Sequence, residues 1–356
     1  MTANALTQDI ASWLLALSVP GARRHLPSEA LVHPDALLDA LTRHGVASIA
    51  LCHLGNFPEL HALEPALRAA QASNVAWALT SVECIAGVSR SFAAAAVPWC
   101  VLKGVPLALR HYGDLAARRV GDIDILVAPL QVRAADRALH GLGWRRVGLG
   151  ADEPLPPPRY WHEQRYAGPG GMTLELHHRL HPNPHLLAVP TAQLLDRTEG
   201  LDIGGVRVPV LDPVTELLYL STHGSRHAWY RLLWVCDIAV IAAKAAPDFL
   251  DETHRVAVRL GLRHPLAQAL LLAERLLATP APAWAQALSG RSRRQRWLLT
   301  FAQESLWCAR DALGNPTNRA GSSLLSALCQ RVSMRFWAWE LTLRARHEWR
   351  ALAATP

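Results

Sequence analysis

The chain has 356 residues, 51% of them apolar and 18% charged, with a formal charge of +7. That balance excludes a disordered chain, and no uncharged run reaches the ~18 residues a helix needs to span a bilayer. The positive charge suits an anionic ligand such as a nucleotide or a phosphorylated substrate, but it is spread too thinly to make nucleic acid the expected partner.

Up to about Ala96 the apolar residues recur at helical spacing, over Ile10 to Leu17, Ala36 to Leu51 and Val75 to Ala95, with Pro20, Pro27, Pro34 and Pro58 as punctuation. The style changes at Val97. Pro98 to Leu102 reads as a short buried strand, Gly104 turns the chain and Val105 to His111 suits a helix. Ile123 to Val127 follows as a strand, Leu130 to His140 as a helix and Trp144 to Leu149 as a strand. Asp152 to Pro158 holds four prolines and reads as a surface loop. Tyr160 to Tyr166 and Met172 to His178 read as a hairpin joined through Gly168-Pro169-Gly170-Gly171.

From Asp212 the pattern is helical again, with Asp212 as N-cap and Pro213 at the first helical position. The expected segments are Glu216 to Thr222, Tyr230 to Ala245, Pro265 to Leu277, Gln295 to Leu313 and Leu324 to Ala351. The expected fold is therefore α+β: a helical region at 1–96, an α/β core with a small mixed sheet at 97–211 and a helical domain at 212–356.

Chemistry centres on Asp122 and Asp124. Side chains alternate along a strand, so these carboxylates share one face while Ile123 and Ile125 point to the other. Paired carboxylates beside an apolar sheet want a positive partner, and clustered oxygen ligands suit Mg²⁺ or Mn²⁺. Glu175 shares its face with Thr173 and His177 and is the third carboxylate if its strand lies beside that of Asp122 and Asp124. Such a set can hold two divalent ions that clamp a nucleoside triphosphate. Lys103-Gly104 ends a strand and opens a helix, presenting backbone N–H groups to an anion. The bland alternatives are surface pairing of Asp122 and Asp124 with Arg118 and Arg119, an exposed Glu175 and a packed Tyr112.

Histidines form a second feature. His177, His178 and His181 follow Glu175, and His223 with His227 falls at i, i+4 on one helical face, a spacing that can bind metal. Asp237 either completes that set, as in a phosphohydrolase, or orients Arg231. Cys52, Cys84, Cys100, Cys236, Cys308 and Cys329 lack C-x-x-C spacing and read as small buried hydrophobes in a reducing compartment. With an acid at Asp9 and no basic start, the N-terminus is a poor secretory signal, so the cytoplasm is the expected location. The Trp-rich C-terminal segments (Trp297, Trp307, Trp337, Trp339 and Trp349) are expected to cover the core, build part of an acceptor pocket or bury a dimer contact; the basic Arg331 to Arg350 stretch also suits a membrane surface. Oligomeric state is not legible.

Several stretches together resemble the uncharacterised bacterial nucleotidyltransferase family of the DNA polymerase β superfamily. They are Leu102 to Leu107, Tyr112, Arg118, Asp122 to Val127, Leu174-Glu175-Leu176-His177, and the pattern from His223 through His227 and Arg231 to Asp237. The resemblance implies Asp122, Asp124 and Glu175 as catalytic residues binding Mg²⁺, and transfer of a nucleoside monophosphate from an NTP, with ATP foremost. The acceptor would be a small molecule, a sugar or a modified peptide. Lys103, Gly104, Arg118 and Arg119 become candidates for the triphosphate, and His177, His223, His227, Arg231 and Asp237 for the acceptor pocket. The chain departs from the superfamily's Gly-Ser signature, having Lys103-Gly104 with seventeen residues between Gly104 and Asp122. A non-catalytic scaffold that keeps a degenerate core and binds a nucleotide or peptide is the competing reading.

Overall fold

The computed structural model describes residues 3–18, 33–148, 155, 160–246, 248–307 and 320–353. Pro20, Pro27, the 152–158 loop apart from Leu155, Cys308, the stretch expected as helix beyond Trp307 and the side chain of Trp349 lie outside the described residues.

Strands β1 (Trp99–Val101), β2 (Ile123–Val127), β3 (Arg145–Arg146), β4 (Glu163–Ala167), β5 (Thr173–His177), β6 (Glu199–Ile203) and β7 (Val206–Val210) form one sheet, in the order β3-β4-β5-β2-β1-β7-β6. β2 runs parallel to β5 and β1 parallel to β7, while the other neighbours are antiparallel. The α+β class with a mixed sheet is thus as expected. The β6–β7 hairpin was not foreseen, although its Gly204-Gly205 turn, with both φ angles positive (61° and 78°), is a strong hairpin signal.

Strand alternation sorts the sheet into two apolar faces. Ile123, Ile125, Val127, Leu174 and Leu176 pack with Ile85, Val88 and Phe92 of the helix Glu64–Ala94 and with Ala135 and Leu139 of the helix Val132–Gly141. On the other face Cys100, Leu102 and Leu126 join a larger cluster that contains both the first helices and the C-terminal ones, from Leu14 and Leu41 to Leu270 and Leu299. Each fully buried aliphatic side chain there contributes roughly 1.5–3 kcal/mol relative to its exposed state.

The helices break where the apolar period alone runs on. Ala36 to Leu51 is two helices, Pro34–His44 and Ala47–His53, because Gly45 caps the first. Leu324 to Ala351 is likewise two, Ala320–Gln330 and Met334–Ala353, separated at 331–333. Asp212 caps Pro213–Arg226 as expected, its carboxylate accepting from the Thr215 N–H at 3.1 Å. The described cysteines are all free thiols, yet Cys52 is exposed and Cys84 and Cys329 are half-buried, so the expectation of buried hydrophobes holds for Cys100 and Cys236 alone among them. Among the described residues no helix is long and apolar enough to cross a membrane.

One buried histidine sets a pH dependence. His264 Nδ1 donates to Gln295 Oε1 at 2.8 Å, and burial followed by the nearby Arg294 charge pushes its pKa down from 6.5 to about 4. The unfolded chain therefore binds this proton between pH 6.5 and 4 while the folded chain does not, so stability present above pH 6.5 is lost as pH falls through that window. Thermal midpoints measured across the window should fall less for His264→Asn than for the natural chain; parallel curves would contradict the assignment.

Candidate active site

Two parallel strands bring the carboxylates together. β2 and β5 pair in a register that sets Asp124 beside Glu175 and Leu126 beside His177, so Asp124, Glu175 and His177 occupy one face. Each of the three offers a donor atom, and these atoms lie within 4.8 Å of one another. Asp124 is buried, Glu175 half-buried, and Asp122, one residue before β2, is exposed at the rim.

Lys103 follows β1, whose end is tied to β2 by the Leu102 N–H donating to the Asp124 carbonyl at 2.9 Å. Gly104 has φ 82° and ψ −117°, a backbone that side-chain-bearing residues rarely adopt, which is why glycine stands at this turn. The following α-helical stretch covers Val105–Leu107 and continues as a π turn, Ala108–Tyr112. It is shorter and more irregular than the expected helix, so the turn offers an anion its N–H groups without a long helix dipole behind them.

The charges are interlocked. Asp124 Oδ1 lies 3.2 Å from both Lys103 Nζ and His177 Nε2, while Asp124 Oδ2 is buried with no hydrogen-bond partner among the described residues. Burial works against the Lys103 charge, but Asp124, Glu175 and Asp122 outweigh it and raise the pKa. Burial and the repulsion of Glu175 and Asp124 push the Asp122 pKa up. Glu175 is pulled down to about 2, because contact with His177 and the Lys103 charge overcome burial and the repulsion of Glu163. Arg165, opposite Glu175 across the β4–β5 hairpin, holds Glu175 Oε1 at 2.9 Å.

Arg118 requires a correction. It was a candidate for the triphosphate, yet its guanidinium is buried and engaged: Nε and Nη2 donate to the two carboxylate oxygens of Asp237 at 2.7 Å each, and Nη1 donates to the Arg119 carbonyl at 2.9 Å. Asp237 also accepts from the Tyr112 hydroxyl at 2.9 Å. Asp237 is therefore committed to Arg118 and Tyr112 rather than to His223, His227 or Arg231. A buried guanidinium has to be matched by a carboxylate, and no local periodicity announces a partner this distant.

Asn74, which was not anticipated, clamps the same segment from the helix Glu64–Ala94. Its Nδ2 donates to the Arg118 carbonyl at 3.0 Å and its Oδ1 accepts from the Val120 N–H at 2.8 Å; Trp77 Nε1 donates to the Gly121 carbonyl at 3.1 Å. Arg119 is exposed, with Nη1 donating to the Thr42 carbonyl at 3.3 Å. Together with Ser48, Ser73, Trp77 and Asp122 it lines a groove of about 410 Å³. This groove gives Arg119 an open approach to a ligand that Arg118 lacks.

The His223 and His227 rings stand 4.7 Å apart, and both neighbour Trp234, at 5.0 and 5.6 Å. Burial, then mutual repulsion and the Lys103 charge, lowers the His223 pKa, keeping the ring neutral. Arg231 lies over the Tyr230 and Trp234 rings at 5.5 and 5.9 Å. Among the described residues, the clusters fit to hold a metal are Asp124–Glu175–His177 and His162–Glu163–His177, neither of which includes His223 or His227. His162 and Glu163 were missed in the sequence. Counting back across the hairpin would have found Glu163, which sits directly opposite His177.

The oxygen donors of Asp124 and Glu175 suit a hard divalent cation, with Asp122 at the rim outside that cluster; the unpartnered buried oxygen of Asp124 together with the repulsion around Asp122 is what such a cation would relieve. A D-x-D strand, a parallel neighbour carrying a third carboxylate and a Lys-Gly turn, in a mixed sheet between helices, are consistent with a nucleotidyltransferase core. The family model described as "Uncharacterised nucleotidyltransferase" matches residues 31–278, and the chain belongs to that family. No functionally curated protein matches it.

Proposed function

We propose that this chain is an active nucleotidyltransferase of the DNA polymerase β-like superfamily that moves a nucleoside monophosphate from an NTP, ATP foremost, to a hydroxyl or phosphate of a small-molecule, sugar or peptide acceptor, releasing pyrophosphate. The observation that carries the reading is the Asp124–Glu175 pairing across β2 and β5, with a buried Asp124 oxygen left without a partner. Asp122, Asp124 and Glu175 would hold Mg²⁺ or Mn²⁺, as two ions. Bound there, the metal neutralises charge on the triphosphate and lowers the pKa of the attacking hydroxyl.

The chain's own groups position and neutralise. Glu175, ionised down to about pH 2, suits a ligand better than a proton acceptor. Lys103, 3.2 Å from Asp124, would be within reach of a phosphate bound to a metal ion on that carboxylate. Gly104 lets the backbone approach the anion, and Arg119 offers its guanidinium fork from the groove beside Asp122. Arg118, gripped by Asp237, fixes the segment that carries Asp122. His177, His223, His227 and Arg231 would form the acceptor pocket.

In this reading 97–211 is the catalytic core, the helical segments 1–96 and 212–356 enclose it, and the free thiols fit the cytoplasm. The test uses ATP labelled at the α- or the γ-phosphate, with Mg²⁺ and a panel of hydroxyl acceptors. Label from the α position should pass to an acceptor while γ label leaves as pyrophosphate. Release of γ label as inorganic phosphate, or no turnover and no NTP binding, would contradict the reading.

A further inference from the structure

We propose a second metal site beside the carboxylates, formed by His162, Glu163 and His177, that takes a transition-metal dication of the Zn²⁺ or Co²⁺ type. The three residues offer one donor atom each, all within 4.8 Å of one another. His162 Nε2 lies 2.9 Å and His177 Nδ1 3.5 Å from the same Glu163 oxygen, Oε2. Ligand atoms around a tetrahedral metal with bonds of about 2.0–2.2 Å stand roughly 3.3–3.6 Å apart, near the two Glu163 separations of 2.9 and 3.5 Å. The hairpin register builds this geometry, because Glu163 pairs with His177 across the strands and the His178 N–H donates to the His162 carbonyl at 2.9 Å.

An independent observation points to a ligand. His177 is 4% exposed, and its Nδ1 is buried without a hydrogen bond among the described residues, facing Glu163 and beyond hydrogen-bonding geometry. A buried imidazole nitrogen in that position costs free energy unless it has a partner, and a metal that takes the place of any proton on it supplies one. The other nitrogen of the same ring completes the pattern: with Nδ1 on a metal, Nε2 carries the proton and donates to Asp124 Oδ1, 3.2 Å away. That is the carboxylate–histidine–metal arrangement that fixes the tautomer and orientation of a ligating imidazole. Two imidazoles and one carboxylate leave coordination positions open, and nitrogen donors select transition metals over Mg²⁺. Arg226 acts electrostatically on His162, but its charge is balanced by Glu340 at 3.8 Å.

The site ties β4 to β5 and holds His177 against Asp124, so its occupant would set the position of the buried carboxylate. Its test needs no nucleotide, which separates its failure from failure of the nucleotidyltransferase reading. Co²⁺ is titrated into the full chain without nucleotide and with excess Mg²⁺ present. The expected result is one tightly bound Co²⁺ with visible bands of a low-symmetry site and two exchangeable, hyperfine-shifted N–H resonances, one per imidazole. His162→Gln and Glu163→Gln should each weaken binding by at least about 10–100-fold, the loss seen even for outer-shell partners. Should His162→Gln fail to fold, Glu163→Gln and the natural chain's proton spectrum carry the test. Displacement of Co²⁺ by Mg²⁺, absence of the paired N–H signals, or binding unchanged in the Glu163→Gln variant would overturn the proposal.

Discussion

Asp124→Asn should lower Mg²⁺-dependent turnover of ATP by about a thousandfold while leaving the protein folded. Metal-borne stabilisation of a phosphoryl transition state is worth several kcal/mol, and each 1.36 kcal/mol is tenfold in rate. The substitution keeps the shape of the side chain but removes the charge of one of the three carboxylates that would hold the metal, at a position 1% exposed where solvent cannot take its place. It also removes the anionic partner of Lys103 and His177, each 3.2 Å from Oδ1. Repulsion among Asp122, Asp124 and Glu175 falls at the same time, so the net effect on stability is smaller than that on rate. The check is pyrophosphate release at saturating ATP, with circular dichroism and the thermal midpoint as controls for folding. A folded variant retaining a tenth or more of the natural rate would remove Asp124 from the chemistry.

The second large effect is on stability. Asp237→Ala, or Arg118→Met alone, should destabilise the fold by about 3–5 kcal/mol, because each leaves a buried charge without its partner. The pair is bidentate, with side chains 6% and 2% exposed, and Asp237 also anchors Tyr112. The double variant Arg118→Met/Asp237→Leu should recover much of that loss, since replacing a buried ion pair with apolar groups is often neutral or better. Urea midpoints of the two single variants and the double variant measure this as a cycle. Additive losses, or single costs below about 1 kcal/mol, would mean that the pair is solvated like a surface salt bridge.

Local pattern carried much of the site. Alternation around Ile123 and Ile125 placed Asp124 on the face opposite the apolar cluster, and the Gly168 to Gly171 turn paired β4 with β5, which set Glu175 and His177 on one face. These follow from a period of two and a short turn, both local, whereas the parallel pairing of β5 with β2 that brings Glu175 beside Asp124 is a long-range contact. The hairpin β6–β7 was equally legible in Gly204-Gly205 and was overlooked, as was Glu163 opposite His177. What could not be read is the choice of distant partners. Arg118 meets Asp237 across 119 positions, and Asn74 reaches the segment of Arg118 and Val120 from a helix whose apolar period gives no hint of it. The first and last helices share one core for the same reason: an apolar stripe shows that a helix is covered, and tertiary packing decides by what.

The central claim, that these carboxylates bind a nucleotide through a divalent ion, is tested most directly by titrating ATP into the full chain by calorimetry with Mg²⁺ and then with chelator. Saturable heat with Mg²⁺, absent with chelator and absent in Asp124→Asn, is the predicted result. Equal ATP binding under all three conditions, or none with Mg²⁺ and the natural chain, would contradict it.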